Sequence, residues 1–139
     1  MDPLPPTEAQ TRILLVDHET PNRETIRRIL HNQGFQIDTA TDRHEALDRL
    51  RQNPVSLVVM NMFMPHAKGI GTLIAIGGFA PTMKVIAMAD GQEPDTGDFL
   101  PLAKSLGATA LLGGEPLDPV ELLAAVRDAL APNLQRMAC

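Results

Sequence analysis

The 139-residue sequence lacks the residues that mark several classes of protein. Its only cysteine is Cys139, so no disulfide can form within the chain. It has no tryptophan or tyrosine, and its longest apolar runs fall short of the ~18 residues that a membrane-spanning helix needs. The N-terminal stretch MDPLPPTEAQ lacks the apolar core of a secretory signal. These absences predict a cytoplasmic protein that does not interact with a membrane.

The charge balance argues against a further class of partner. The chain has 12 Lys and Arg against 17 Asp and Glu, which gives a net charge of −5. A chain with an acidic balance is not attracted to a phosphate backbone, so we expect no direct nucleic-acid binding. The length and the 44% hydrophobic content suit a single globular domain. We assign this domain to residues 11–131, between a flexible Pro-rich arm at 1–10 and a tail at 132–139.

Short apolar runs alternate with helical periodicity along the whole chain. The predicted strands are Ile13–Val16, an edge strand around Phe35 and Ile37, Val55–Met60, Val85–Met88 and Ala108–Leu112. Amphipathic helices follow the strands, with starts predicted at Thr20-Pro21 and Asp118-Pro119, where proline fits the first turn. This alternation predicts a flavodoxin-like, doubly wound α/β fold of three layers, with a parallel sheet in the order 2-1-3-4-5. In such folds, functional sites lie at the carboxyl ends of the strands.

The residues at these strand ends resemble those of a known family. The resemblance is carried by ILLVDHE at 13–19, by LVVMNMFMP at 57–65 with Gly69, by VIAM at 85–88, and by Gly107-Ala108 with Pro116. Together they are similar to the receiver domains of two-component response regulators, over about residues 12–130. The resemblance implies a stand-alone receiver-like module of bacterial phosphorelay signalling. It also implies a protein partner, such as a sensor kinase or a phosphotransferase.

The sequence departs from the family pattern at nearly every chemical position that the resemblance implies. A receiver carries an acidic pair after strand 1, a phospho-accepting Asp after strand 3, a Ser or Thr after strand 4 and a Lys after strand 5. The matching positions here are, in that order, Asp17 with His18, Asn61, Ala89 and Glu115. An alternative alignment places Gly114 at the lysine position, and neither alignment supplies a cation.

These substitutions predict that the phosphorylation chemistry is lost as a set. The amide of Asn61 has no anionic oxygen that could attack phosphorus. Asp17 alone is a poor site for Mg²⁺, which gives up its water reluctantly and prefers several oxygen ligands. Glu115 adds negative charge where an incoming phosphoryl group needs positive charge. We therefore expect a pseudo-receiver that is not an enzyme, has no cofactor, binds Mg²⁺ weakly or not at all, and acts through phosphorylation-independent protein contacts.

Three alternatives stay open at this point. A flavodoxin-like small-molecule or cofactor-binding protein would share the fold, but His18–Pro21 is not the phosphate-gripping loop that it needs after strand 1. Phosphotransfer to another carboxylate, such as Asp17 or Asp90, would need a rebuilt metal site. Asp17 and His18 offer a softer metal ion such as Zn²⁺ only two converging ligands, so we expect no metal site.

The segment 69–83 contains no charged residue, although a helix that covers a sheet normally has one polar face. A helix is predicted over about residues 67–79, and Ile70, Ile74 and Ile76 lie along it. Two interpretations stay open, namely a thin helix of small residues and a candidate partner surface formed by these isoleucines. Any homodimer is expected to be constitutive, because phosphorylation cannot drive its assembly.

Overall fold

A computed structural model of the chain describes residues 11–62, 68–89, 103–113 and 117–131. The strands in these ranges are β1 (Arg12–Val16), β2 (Gln36–Ala40), β3 (Leu57–Asn61), β4 (Val85–Met88) and β5 (Ala110–Leu112). The helices are α1 (Thr20–His31), α2 (Arg43–Gln52), α3 (Lys68–Phe79) and α4 (Pro119–Leu130), with a helical turn at 103–105 before β5. The predicted arm and tail lie outside the described residues, and the domain limits at 11 and 131 stay a prediction.

The strands form one parallel sheet in the order β2-β1-β3-β4-β5. This confirms the predicted strand order. β1 lies between β2 and β3, and Val16 of β1 is in register with Met60 of β3. The residues that follow this pair, Asp17 and Asn61, are therefore brought to neighbouring positions at the carboxyl edge of the sheet.

Apolar layers cover both faces of the sheet, because successive side chains of a strand point to opposite faces. One layer joins alternate residues of β1 and β3 to α2 and α3 through Leu14, Val16, Val58, Met60, Ala46, Leu73 and Ile76. The other joins the intervening residues to α1 and α4 through Ile13, Leu15, Leu57, Val59, Ile26, Leu30, Leu122 and Val126. The three-layer arrangement is thus the predicted one. Among the described helices, none combines the length and apolar content that crossing a bilayer requires.

Side chains just before the helices account for two of the helix starts. The Asp118 carboxylate accepts a hydrogen bond from the Val120 backbone N–H at 2.8 Å and so caps α4. The Asp42 carboxylate accepts from the Glu45 backbone N–H at 2.9 Å at the start of α2. In return, Glu45 Oε1 accepts from the Thr41 backbone N–H at 2.9 Å, which satisfies a second donor before the helix.

The bounds of β3 and β5 differ most from the sequence prediction. The apolar run predicts the third strand over 55–60, whereas β3 spans Leu57–Asn61, so Asn61 belongs to the strand rather than following it. The fifth strand is predicted over 108–112, whereas β5 spans Ala110–Leu112. The Ala108 backbone N–H donates instead to the Ala103 carbonyl at 3.0 Å, in the turn that closes the preceding helical stretch. Apolar runs report burial, and Ala108 is buried without being paired in the sheet.

The isoleucines of α3 do not all lie on its surface. Ile76 is 0% exposed and belongs to the core, so its assignment to a partner surface is wrong. It lies three residues after the buried Leu73, on the helix face that packs against the sheet. Ile70 is partly buried against the same core, whereas Ile74 is 55% exposed.

The start of α3 lies unusually close to the end of β3. A Cβ atom added to Gly69 would lie 2.1 Å from the carbonyl oxygen of Met62, well inside van der Waals contact. Only glycine fits this approach without moving the backbone. Gly69 therefore permits the tight passage of α3 past the segment that carries Asn61.

Candidate functional site

Asp17 and Asn61 are adjacent and buried at the carboxyl edge of the sheet. Asp17 is 0% exposed and Asn61 is 1% exposed. The Asn61 side-chain amide donates from Nδ2 to Asp17 Oδ2 at 3.4 Å. The structure thus brings together the two positions that the sequence assigned to the remaining acid and to the phospho-acceptor.

Asp17 accepts further hydrogen bonds from residues on its C-terminal side. The Glu19 backbone N–H donates to Oδ1 at 3.0 Å, and the Asn22 side-chain amide donates to Oδ2. Arg23 Nη1 donates to the backbone carbonyl oxygen of Asp17 at 2.9 Å. Both carboxylate oxygens therefore face N–H donors, and hydrogen bonds to an ionised carboxylate are stronger than neutral ones.

The sequence analysis missed Asn22 and Arg23. Asn22 is the third residue of α1, a position from which a side chain reaches back toward the residues before the helix. The predicted helix start at Thr20 was therefore the signal that could have found it. The contact of Arg23 with a backbone oxygen has no comparable signal in the sequence.

His18 lies beside this network without joining it. Its Nδ1 is 4.0 Å from Asp17 Oδ1, and its Nε2 is 3.9 Å from Glu19 Oε1, both longer than a hydrogen bond. Nδ1 is buried and has no hydrogen-bond partner among the residues that the structure describes, although 31% of the side chain is exposed. In the part of the chain that the structure describes, no group of three or more His, Cys, Asp or Glu is placed to hold a metal ion.

Ala89 occupies the position after β4 where the family pattern has a hydroxyl. It is fully buried, and its backbone N–H donates to the Leu112 carbonyl at 2.9 Å. Its methyl group can neither donate nor accept a hydrogen bond. Glu115, the alternative Gly114 and the alternative acceptor Asp90 lie outside the described residues.

The groups around Asp17 do not fit the divalent cation that a receiver pattern implies. Mg²⁺ requires oxygen ligands in near-octahedral geometry. Among the residues that the structure describes, the groups that approach the carboxylate are N–H donors of Glu19, Asn22 and Asn61. Turning either amide so that its oxygen faces a cation would remove a donor from a buried carboxylate.

Comparison with known proteins identifies the family. Residues 13–127 match the sequence model described as the response regulator receiver domain. The chain belongs to the response regulator receiver domain family. It is 32% identical over 119 residues to the transcriptional regulatory protein CpxR of Escherichia coli (strain K12), a match that covers 86% of this chain and 49% of that protein. The receiver domain therefore spans about half the length of the curated relatives it matches.

A second relative agrees with this assignment, and two solved structures share the fold. The response regulator Rre1 of Synechocystis sp. (strain ATCC 27184 / PCC 6803 / Kazusa) is 34% identical over 123 residues, with 86% of this chain and 51% of that protein covered. A receiver domain protein from Clostridium thermocellum superposes with a TM-score of 0.77 at 26% identity, covering 93% of this chain and 99% of that chain. A CheY-like receiver domain protein from Methanospirillum hungatei JF-1 gives 0.76 at 23% identity, covering 91% and 98%. This receiver domain is thus a module of two-component signalling, and the alternative of a cofactor-binding protein is not favoured.

Proposed function

We propose that this receiver domain is a pseudo-receiver, which acts in two-component signalling through protein contacts that do not depend on phosphorylation. The observation that carries the proposal is the buried amide of Asn61 at the phospho-acceptor position, hydrogen bonded to Asp17. An amide nitrogen or oxygen cannot form the acyl phosphate that a carboxylate oxygen forms. On this proposal the domain is not an enzyme and has no cofactor.

The surroundings of Asn61 support the same conclusion. Phosphoryl transfer depends mainly on positioning and on neutralisation of charge at the phosphoryl oxygens. The carboxylate oxygens of Asp17 accept hydrogen bonds from N–H donors. Ala89 has no hydroxyl that could donate to a bound phosphoryl group. Glu115, at the position where the family pattern has Lys, is acidic. With His18 at the position of the second acid, four positions of the family pattern therefore differ together.

The partner that we propose is a protein of the same signalling system, such as a sensor kinase or a phosphotransferase. We propose no nucleic-acid partner and no membrane contact for this domain, and a cytoplasmic location. Any homodimer would be constitutive, since assembly would not wait for a phosphoryl group. Sedimentation profiles with and without acetyl phosphate are then expected to be identical.

Labelling by a small phosphodonor tests this proposal. The protein is incubated with acetyl phosphate and MgCl₂, and intact-protein mass spectrometry measures any gain of a phosphoryl group. We expect no labelling of the natural sequence and little of Asn61→Asp, because residues that act as a unit on one transition state recover little one at a time. The combined variant His18→Asp, Asn61→Asp, Ala89→Thr and Glu115→Lys serves as the positive control. Stoichiometric, alkali-labile labelling of the natural sequence would overturn the proposal.

A further inference from the structure

Asn22, in the first turn of α1, contacts the buried Asp17 directly. We propose that Asn22 and Asn61 are positioning residues that take the place of a divalent cation as the partners of Asp17. The described part of the pocket at the carboxyl edge of the sheet is then assembled without a cation. This inference rests on the proposed function and adds to it the residues that keep a cation away.

The first support is the burial of the Asp17 carboxylate. A carboxylate that is 0% exposed has lost its water and needs other partners to offset that cost. Among the described residues, N–H groups supply them, from the backbone of Glu19 and from the side chains of Asn22 and Asn61. They come from the β1–α1 connection, from α1 and from β3, so the carboxylate links three parts of the fold.

The second support is the start of α1. Its N-cap residue, Glu19, makes no side-chain capping hydrogen bond, and the first turn has no acidic residue. Asp17, two residues before Glu19, acts as the capping residue instead. It accepts hydrogen bonds from the Glu19 backbone N–H and from the Asn22 side chain in the first turn. Arg23 adds a hydrogen bond to the Asp17 backbone oxygen at 2.9 Å. Asp17 thus anchors the helix, which a cation bound to its oxygens would disturb.

The third support is competition for the same oxygen. The amides of Asn22 and Asn61 both donate to Oδ2 of Asp17. A cation coordinated by that oxygen would meet the amide hydrogens, so its binding requires that both amides turn away. The two amides and a cation are therefore alternatives at Oδ2 of Asp17.

Thermal unfolding of the full chain in EDTA and in MgCl₂ tests the inference. We expect the natural sequence to unfold at the same temperature in both. Asn22→Ala should unfold about 5–10 °C lower in both, because a hydrogen bond to a buried charged group is lost. Asn32→Ala is the matched control at the other end of α1, where Asn32 is exposed and bonds through its backbone; its shift should stay within about 2 °C.

In the same assay, we expect MgCl₂ to stabilise the variant Asn61→Asp, unlike the natural sequence. This substitution removes a donor and sets a second carboxylate beside Asp17, so the unfolding temperature should fall in EDTA and rise again with MgCl₂. The inference is overturned if MgCl₂ stabilises the natural sequence as much as Asn61→Asp, or if Asn22→Ala loses no more than Asn32→Ala.

A measurement on the natural sequence covers the case in which a variant does not fold. MnCl₂ broadens NMR signals near a bound ion, and we expect no selective broadening of the backbone amides of Asp17, His18 and Asn61. Selective, saturable broadening there would overturn the inference. Its failure is distinguishable from that of the proposed function, since a protein that binds Mn²⁺ and still takes no phosphate from acetyl phosphate contradicts the inference but leaves the loss of phosphorylation standing.

Discussion

Asn61 donates a hydrogen bond to Asp17 across two neighbouring parallel strands, at 3.4 Å and out of contact with water. An amide is neutral at every pH at which the protein folds, so this pair lacks the like-charge repulsion of two adjacent carboxylates. A receiver pattern with two acids at these positions needs a counter-charge, whereas this pair does not. On the proposed function, the substitution that removes the phospho-acceptor also lowers the negative charge that a cation would otherwise offset.

Because α3 lies close to the end of β3, we predict that replacing Gly69 destabilises the protein. Gly69→Ala places a Cβ atom 2.1 Å from the Met62 carbonyl oxygen, so the backbone must shift. We expect the free energy of unfolding to fall by about 1–3 kcal/mol. Gly71→Ala on the same helix is the control, because its Cβ has nothing within 4 Å, and it should gain about 0.5–1 kcal/mol. Urea denaturation measures both, and an equal response of the two variants would contradict the contact.

We predict that removing the buried hydroxyl of Thr72, in α3, does not lower the stability of the protein. This hydroxyl has no hydrogen-bond partner among the described residues. Thr72→Val keeps the shape and removes the unpaired polar group, so we expect the free energy of unfolding to stay level or rise by up to about 1 kcal/mol. Thr72→Ser keeps the hydroxyl and loses a buried methyl group, and should cost about 1 kcal/mol. Equal losses in the two variants would show that the hydroxyl is paired.

The capping contacts of α2 predict a dependence of stability on pH. The hydroxyl and the backbone N–H of Thr41 donate to Glu45 and lower the pKa of that carboxyl. Because the pKa is lower in the folded state, this stabilisation is complete above the unfolded pKa and is lost as the pH falls through the folded one. A half-exposed contact of this kind contributes less than about 1 kcal/mol.

Two variants separate the parts of this capping contact. Glu45→Gln should lose the contribution at neutral pH, and its free energy of unfolding should fall less steeply in acid. Thr41→Val keeps the backbone donor and removes the hydroxyl, so it should lose only part of the effect. Urea denaturation at a series of pH values gives the comparison. Parallel curves for the natural sequence and Glu45→Gln would contradict the assignment.

The sequence was sufficient for the fold because its buried strands are unbroken apolar runs. Ile13–Val16 and the run ending at Met60 identify central strands, and their register brings Asp17 to Asn61. Composition did not distinguish the two faces of α3, since that helix has no polar stripe, and Ile76 was therefore placed wrongly. The role of Asn22 depends on the direction of one side chain at the start of α1, which periodicity does not report.

The most direct measurement is an NMR titration of the natural sequence with beryllofluoride in the presence of MgCl₂. Beryllofluoride stands in for a phosphoryl group on a carboxylate oxygen, and Asn61 offers no such oxygen. We predict that the backbone amide signals of Asp17, Asn61 and Ala89 keep their positions throughout the titration. Saturable shifts at Asn61 and Ala89 would show that the pocket still accepts a phosphoryl group, and would contradict the proposal that this domain is a pseudo-receiver.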